Sequence, residues 1–348
     1  MRYQVFGQHS GLRVSQLALG TGNFGTAWGY GASFEEARLM FSKYIEADGN
    51  FIDTADNYQA GQSETLLSEL IAPVRERIVL ASKFTLGPTP AQAGIAATGN
   101  SRKVMVQSVE ASLKRLKTDR IDLLWVHMPD GVTPMEEVVR GLDDLARAGK
   151  IVYAGLSDFP AWRVARAATL AEIRGSLPIA GVQLEYSLVE RTPERELLPM
   201  ASALGLGTVA WSPLGGGFLT GKYRRGEVGR ATQLGMLIHQ EDSAQKGAVL
   251  DALETVAEQT GSNMGRVAIA WILAQGIVPI LGPKSASQLE DNLAAATLPL
   301  SEQQLSLLSN AGAPSLGFPY ELLNQTPIRQ SLSGGQLELL NPPAQPVA

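Results

Sequence analysis

Val79-Leu80-Ala81-Ser82-Lys83 is a short apolar run that ends in a charge. The same grammar returns at Asn50-Phe51-Ile52-Asp53 and at Leu123-Leu124-Trp125-Val126-His127. Such runs are strand-sized, and none alternates cleanly between apolar and polar, the pattern of strands covered on both faces. Working outward gives eight strand candidates, at 16–20, 50–53, 78–83, 121–127, 151–156, 181–183, 208–211 and 278–281. Amphipathic stretches fall between and after them, at 34–47, 63–71, 102–116, 134–148, 161–173, 193–204, 244–275 and 286–295, with Gly261 splitting the long one. Thr133-Pro134 followed by Glu136 and Glu137 reads as an N-cap, a proline at the first helical position and acids in the first turn. Gly149, Gly175 and Gly205 read as helix stops.

Eight alternations of strand and helix predict an α/β fold, a (β/α)8 TIM barrel. A doubly wound open sheet makes the same alternation, and the pattern alone does not separate the two. The segment from Leu214 to Asp242 is a long loop after the seventh strand, a length that compact domains reserve for function or disorder. From Ser331 onward the chain reads as loosely ordered.

Composition narrows the function classes. The 348 residues carry a net charge of −5 with no basic stripe, which argues against nucleic-acid or anionic-membrane partners. The chain has no cysteine, so disulfides, thiolate nucleophiles, Cys-bound zinc and iron–sulfur clusters are excluded. The N-terminal stretch lacks a signal-peptide core and the longest apolar helix candidate, 267–274, is too short to span a bilayer. A cytoplasmic protein is expected.

Gly20-Thr21-Gly22-Asn23-Phe24-Gly25 matches the G-x-G-x-x-G pattern of dinucleotide-binding folds, and it is a decoy. That site needs a helix opening inside the motif to receive a pyrophosphate. Here a helix cannot start before Ser33. The ionisable groups tell more. Asp53, Lys83 and His127 end the second, third and fourth strands, and Tyr58 lies five residues after Asp53. In a barrel these ends share one face. Each alone has a plain reading: a helix cap, a solvent-reaching lysine, a satisfied histidine, a packing aromatic. Together they make a site. Lys83, paired with Asp53, would lower the Tyr58 pKa, and His127 would donate to a carbonyl oxygen. A proton donor and an oxyanion site without metal suit hydride transfer.

These residues carry a resemblance. Phe51-Ile52-Asp53-Thr54-Ala55-Asp56-Asn57-Tyr58 with Gly61-Gln62-Ser63-Glu64, then Ala81-Ser82-Lys83-Phe84, then Trp125-Val126-His127-Met128-Pro129-Asp130, resemble the signatures of the aldo-keto reductases, in register from about Phe6 to Asn310. The resemblance implies the barrel, with residues 3–14 as a hairpin closing its bottom. It implies a single domain at 1–312, with 313–348 as a C-terminal extension partly covering the substrate cleft near Phe318 and Tyr320. It implies reduction of an aldehyde or ketone with NADPH, with NADH the weaker alternative, and Asp53, Tyr58, Lys83 and His127 as the catalytic set.

The cofactor contacts it implies are Thr21 and Gly22 near the nicotinamide, Asp53, then Ser157, Asp158 and Gln183 on the carboxamide. Asp158 departs from the family's usual Asn and can only accept a hydrogen bond. Trp211 would stack on the ring. Ser212, Pro213, Leu214, Gly217, Gly221 and Lys222 would fold over the pyrophosphate. Gly282, Lys284, Ser285, Gln288, Asp291 and Asn292 would take the adenosine and its 2′-phosphate. Trp28, Tyr58, Phe84, His127, Met128 and Asp130 would line the substrate pocket. Two alternatives stand beside this reading. One is a redox-sensing subunit similar to potassium-channel β-subunits. The other is a hydrolase or isomerase using Asp53 and Glu185 as a carboxylate pair.

Overall fold

The computed structural model describes residues 1–89, 94–227 and 239–341. Ten strands occur among them: β1 Tyr3–Val5, β2 Arg13–Ser15, β3 Ala18–Gly20, β4 Phe51–Asp53, β5 Val79–Phe84, β6 Ile121–Val126, β7 Ile151–Ser157, β8 Ile179–Glu185, β9 Gly207–Trp211 and β10 Val278–Leu281. β3 to β10 pair in parallel and close into a barrel in chain order, β10 meeting β3. This separates the barrel from the open sheet, and all eight predicted strands are present. β1 and β2 form the expected antiparallel hairpin.

The helices are α1 Phe34–Glu46, α2 Gln62–Ile71, α3 Arg102–Leu116, α4 Met135–Arg147, α5 Ala161–Arg174, α6 Leu197–Ala203, α7 Ala244–Thr260, α8 Met264–Ala274, α9 Ala286–Leu293, α10 Glu302–Ala311, α11 Tyr320–Leu323 and α12 Thr326–Leu332. No helix among the described residues is long and apolar enough to cross a membrane. Gly261, at φ 61°, caps α7 and separates it from α8 as read from the sequence. The start of α4 differs. Pro134 is its N-cap, and Thr133 Oγ1 donates to Asp130 Oδ2 at 2.5 Å instead of capping the helix. The C-terminal stretch also differs in part, because Ser331 and Leu332 complete α12. Of the long loop at 214–242, residues 228–238 lie outside the described residues, as do 342–348 of the tail.

Two apolar layers follow from the strand period of two. Outward residues pack against the helices. Inward residues Phe51, Val79, Ala81, Leu123, Trp125 and Val209 gather around Phe6, which follows β1. The Phe6 ring meets Phe51 and Trp125 edge-on at centroid distances of 6.0 and 6.2 Å. Gly181 and Gly207 leave room for it, since a Cβ on either would lie 2.6 Å from the ring. The hairpin thus delivers a plug to the N-terminal end of the barrel.

Candidate active site

The same inward registers, followed to the C-terminal end of the strands, turn polar. Asp53 is two residues beyond Phe51, and Lys83 two beyond Ala81. Both are buried, and Lys83 Nζ donates to Asp53 Oδ1. The ammonium also donates to the Thr54 carbonyl at 3.1 Å and to the Tyr58 hydroxyl at 3.0 Å. Gln183 Nε2, from β8 across the lumen, donates to Asp53 Oδ2 at 2.8 Å. Asp53 therefore has both oxygens engaged, the condition under which a buried carboxylate is tolerated.

Electrostatics sort the groups. Burial pulls the Lys83 ammonium down, Asp53 and Tyr58 hold it up, and the balance lies above its ordinary value. Loss of solvent pushes the Tyr58 hydroxyl up, and Lys83 pulls it down. The net direction is upward, which corrects the expectation that lysine alone sets it: desolvation exceeds the attraction of one cation already shared with Asp53. Burial, with Lys83 nearby, drives the His127 imidazole down to about 3, so it is neutral across the physiological range. Its ring stands edge-on to Tyr58 at 6.1 Å, and its Nδ1 is buried with no hydrogen-bond partner.

The loop that carries Tyr58 is held from both sides. Gln59 and Ala60 adopt left-handed φ of 51° and 53°. Gln59 Nε2 donates to the Gly22 carbonyl at 3.1 Å and its Oε1 accepts from the Trp28 amide at 3.0 Å. Thr21 is buried and its amide donates to the Asp53 carbonyl at 2.9 Å. A Cβ on Gly22 would stand 3.8 Å from the Tyr58 ring, and Trp28 meets that ring edge-on at 6.3 Å. The glycine-rich stretch after β3 is therefore the wall beside Tyr58, and no helix opens within it.

Other predicted residues divide into those at the mouth and those engaged elsewhere. Ser157 and Trp211 end β7 and β9, and Trp211 Nε1 donates to Asp158 Oδ1 at 3.0 Å. Asp158 also accepts from Ser157 Oγ at 3.2 Å, so it serves as an acceptor between two expected ring contacts. After Ser212, Pro213 and Leu214 come Gly215, Gly216 and Gly217 at φ 55°, 65° and 91°, three successive left-handed residues that only glycine adopts at low cost. Gly221 repeats this at φ 71°. A Cβ on Gly217 would fall 2.6 Å from Lys222 Nζ, so the amine lies directly on that backbone. Gly282 has open space where a side chain would stand. Lys284, Ser285, Gln288 and Asn292 follow at the start of α9 and along it.

Asp291 accepts instead from Asn263 and from Arg266, whose Nη2 stands 2.6 Å away. Asp130, next but one to Met128, takes donors from Asn100, Val132 and Thr133. Burial alone would raise its carboxyl, but these donors outweigh it and hold it at about 2. Phe84 is a correction: it is 1% exposed and packs in the outer layer, because Lys83 inward turns its neighbour outward. Glu185 pairs with His239 Nε2 at 3.0 Å while Asp53 is bound to Lys83 and Gln183, so the two carboxylates serve different partners. Sequence reading missed Gln59, Thr54 and Arg266, none of which has a local signal.

The family model described as "Aldo/keto reductase family" matches residues 16–312. A norsolorinic acid reductase of Aspergillus flavus is 35% identical over 335 residues, covering 93% of this chain and 84% of that protein. An uncharacterized oxidoreductase of Bacillus subtilis is 35% identical over 320 residues, covering 89% of this chain and 95% of its own. An aryl-alcohol dehydrogenase of Pestalotiopsis microspora is 33% identical over 333 residues, covering 92% and 85%. With a buried lysine–carboxylate pair touching a tyrosine at the mouth of a closed parallel barrel, and with relatives along nearly its whole length, the chain belongs to the aldo-keto reductase family.

Proposed function

We propose that this protein reduces an aldehyde or ketone to the alcohol with NADPH. The observation that carries the reading is the chain Asp53–Lys83–Tyr58, closed inside a barrel mouth beside a neutral histidine. A dinucleotide fits the residues present. Gly22 leaves the face of Tyr58 open, and three left-handed glycines at 215–217 present backbone where phosphates need close approach. Ser157 and Gln183 would hold the carboxamide, with Asp158 accepting from its amide nitrogen, and Trp211 would flank the ring. Lys222, Lys284, Ser285 and Gln288 would take the phosphates, and Asn292 the adenine. The dinucleotide supplies the hydride.

The protein's own groups handle the proton. Tyr58, kept protonated by its surroundings, gives its proton to the oxygen that becomes the alcohol. Lys83 stabilises the tyrosinate left behind, and Asp53 fixes Lys83 in reach. His127 donates from Nε2 to the same oxygen. Its buried Nδ1 lacks a partner, and an idle lone pair there costs less than an idle N–H, which favours the Nε2–H tautomer. The substrate is an aryl carbonyl: relatives are named for norsolorinic acid and aryl alcohols, and the wall of Trp28 beside Tyr58 is aromatic. The extension around Phe318, whose ring is 79% exposed, would close over it when substrate is bound. The setting is the cytoplasm.

The test follows NADPH absorbance with an aromatic aldehyde, for the wild type and Tyr58→Phe. Turnover that falls in the variant while dinucleotide binding persists supports the reading. Tight binding with no turnover over a panel of carbonyls replaces it with the sensor alternative.

A further inference from the structure

We infer that Glu36 sets the cofactor preference by opposing the 2′-phosphate of NADPH; this rests on the nicotinamide reading above. The adenosine end of that site is the start of α9. Ser285 caps the helix, its hydroxyl accepting from the Gln288 amide at 3.2 Å. Gln288 Oε1 takes the Lys284 amide at 2.9 Å. The next amide, Ala286 N, donates to Glu36 Oε1 at 2.6 Å, a carboxylate brought in from α1 across 250 residues of chain. The first backbone donor of α9 is thus filled by an anion belonging to the protein.

A helix N-terminus favours one negative group, and Glu36 supplies it. A 2′-phosphate arriving beside Lys284 and Ser285 meets that charge and must displace it or lie against it. The 2′-hydroxyl of NADH meets no such repulsion. Attraction comes from Lys284 and from Lys222, whose ammonium is lowered by burial, raised by Glu227 and lowered again by Lys284. The neighbouring carboxylates are neutralised: Asp291 by Arg266, and Glu290 by Lys43. Glu36 therefore decides how much of the lysines' attraction reaches a phosphate, and the protein accepts NADH more readily than its lysines alone would allow.

The experiment titrates intrinsic tryptophan fluorescence with NADP+, NAD+, 2′,5′-ADP and 5′-ADP, for the wild type, Glu36→Gln and Glu36→Lys. Glutamine keeps the acceptor oxygen for Ala286 N and removes only the charge, so the fold is retained, and a thermal melt checks it. The expected result is NADP+ and 2′,5′-ADP binding about tenfold tighter in Glu36→Gln and tighter again in Glu36→Lys, the scale of one partly screened charge contact. NAD+ and 5′-ADP stay within about twofold. An unchanged ratio of NADP+ to NAD+ affinity in both variants overturns the role of Glu36 and leaves the nicotinamide reading intact. Wild-type protein that binds neither dinucleotide overturns that reading, and this inference with it.

Discussion

The two ends of the barrel are built from the same inward registers and carry opposite chemistry. At the N-terminal end Phe51, Val79 and Leu123 surround Phe6 in an apolar plug. At the C-terminal end the same strands offer Asp53 and Lys83, and His127 follows β6. The step from Phe51 to Asp53, or from Ala81 to Lys83, is two residues and about 7 Å. Which face of the strand a residue takes decides whether it enters the lumen. Its position along the strand decides whether it stabilises the fold or acts on a ligand.

That division predicts a double dissociation. Tyr58→Phe removes the proposed proton donor and should lower turnover roughly 10²- to 10⁴-fold. The ring remains, so denaturant midpoints should stay close to wild type. A large loss of stability would break the division, because it would make the mouth structural. Lys83→Met joins the two ends: it deletes the cation and leaves Asp53 buried without its partner, which costs about 3–5 kcal/mol. Both turnover and unfolding free energy should fall. Phe6→Ala is the converse, costing about 3–5 kcal/mol of stability, while the folded fraction keeps its turnover number. Gly207→Ala presses a methyl against the same ring and should cost about 1–3 kcal/mol. Urea unfolding with parallel single-concentration assays reads all four.

Much of this was legible because it depends on local pattern. Apolar runs ending in Asp53, Lys83 and His127 announced both the strands and the side chains that meet at the barrel mouth, and Ser33 marked where the first helix begins. Phe84 was misread although the signal was present: strand alternation that sends Lys83 inward sends Phe84 out. Asp130-Gly131 followed by Thr133 carried the mark of a side-chain-held turn, and that turn absorbs the carboxylate. The left-handed Gln59 and Ala60 had no signal, since neither is Gly or Asn, and their conformation is imposed by contacts to Gly22 and Trp28. Glu36 on Ala286 and Arg266 on Asp291 are tertiary meetings of distant helices, which no spacing in the chain records.

A pH-dependent effect concerns a buried residue of the loop that follows β4. Asp56 is buried with both oxygens lacking a partner, and burial, with Glu64 nearby, raises its carboxyl to about 7. Its folded pKa lies above the ordinary 3.8, so its contribution to stability is full below that value and is lost as pH rises through about 7. His127 has the opposite sign: its contribution is full above the ordinary 6.5 and is lost as pH falls toward about 3. Asp56→Asn should therefore flatten the decline between about pH 4 and about pH 7, a slope of at most about 1.4 kcal/mol per pH unit. Urea midpoints at about pH 5 and about pH 8 measure it. Lys83 is among the charges acting on Asp56, but the Asp56 carboxyl makes no hydrogen bond to the Asp53–Lys83–Tyr58 chain, so its variant should leave the pH–rate profile of the proposed carbonyl reduction in place. A shifted profile would mean that its charge reaches Tyr58 through Lys83, and the barrel wall would then fail to separate structural charge from catalytic charge.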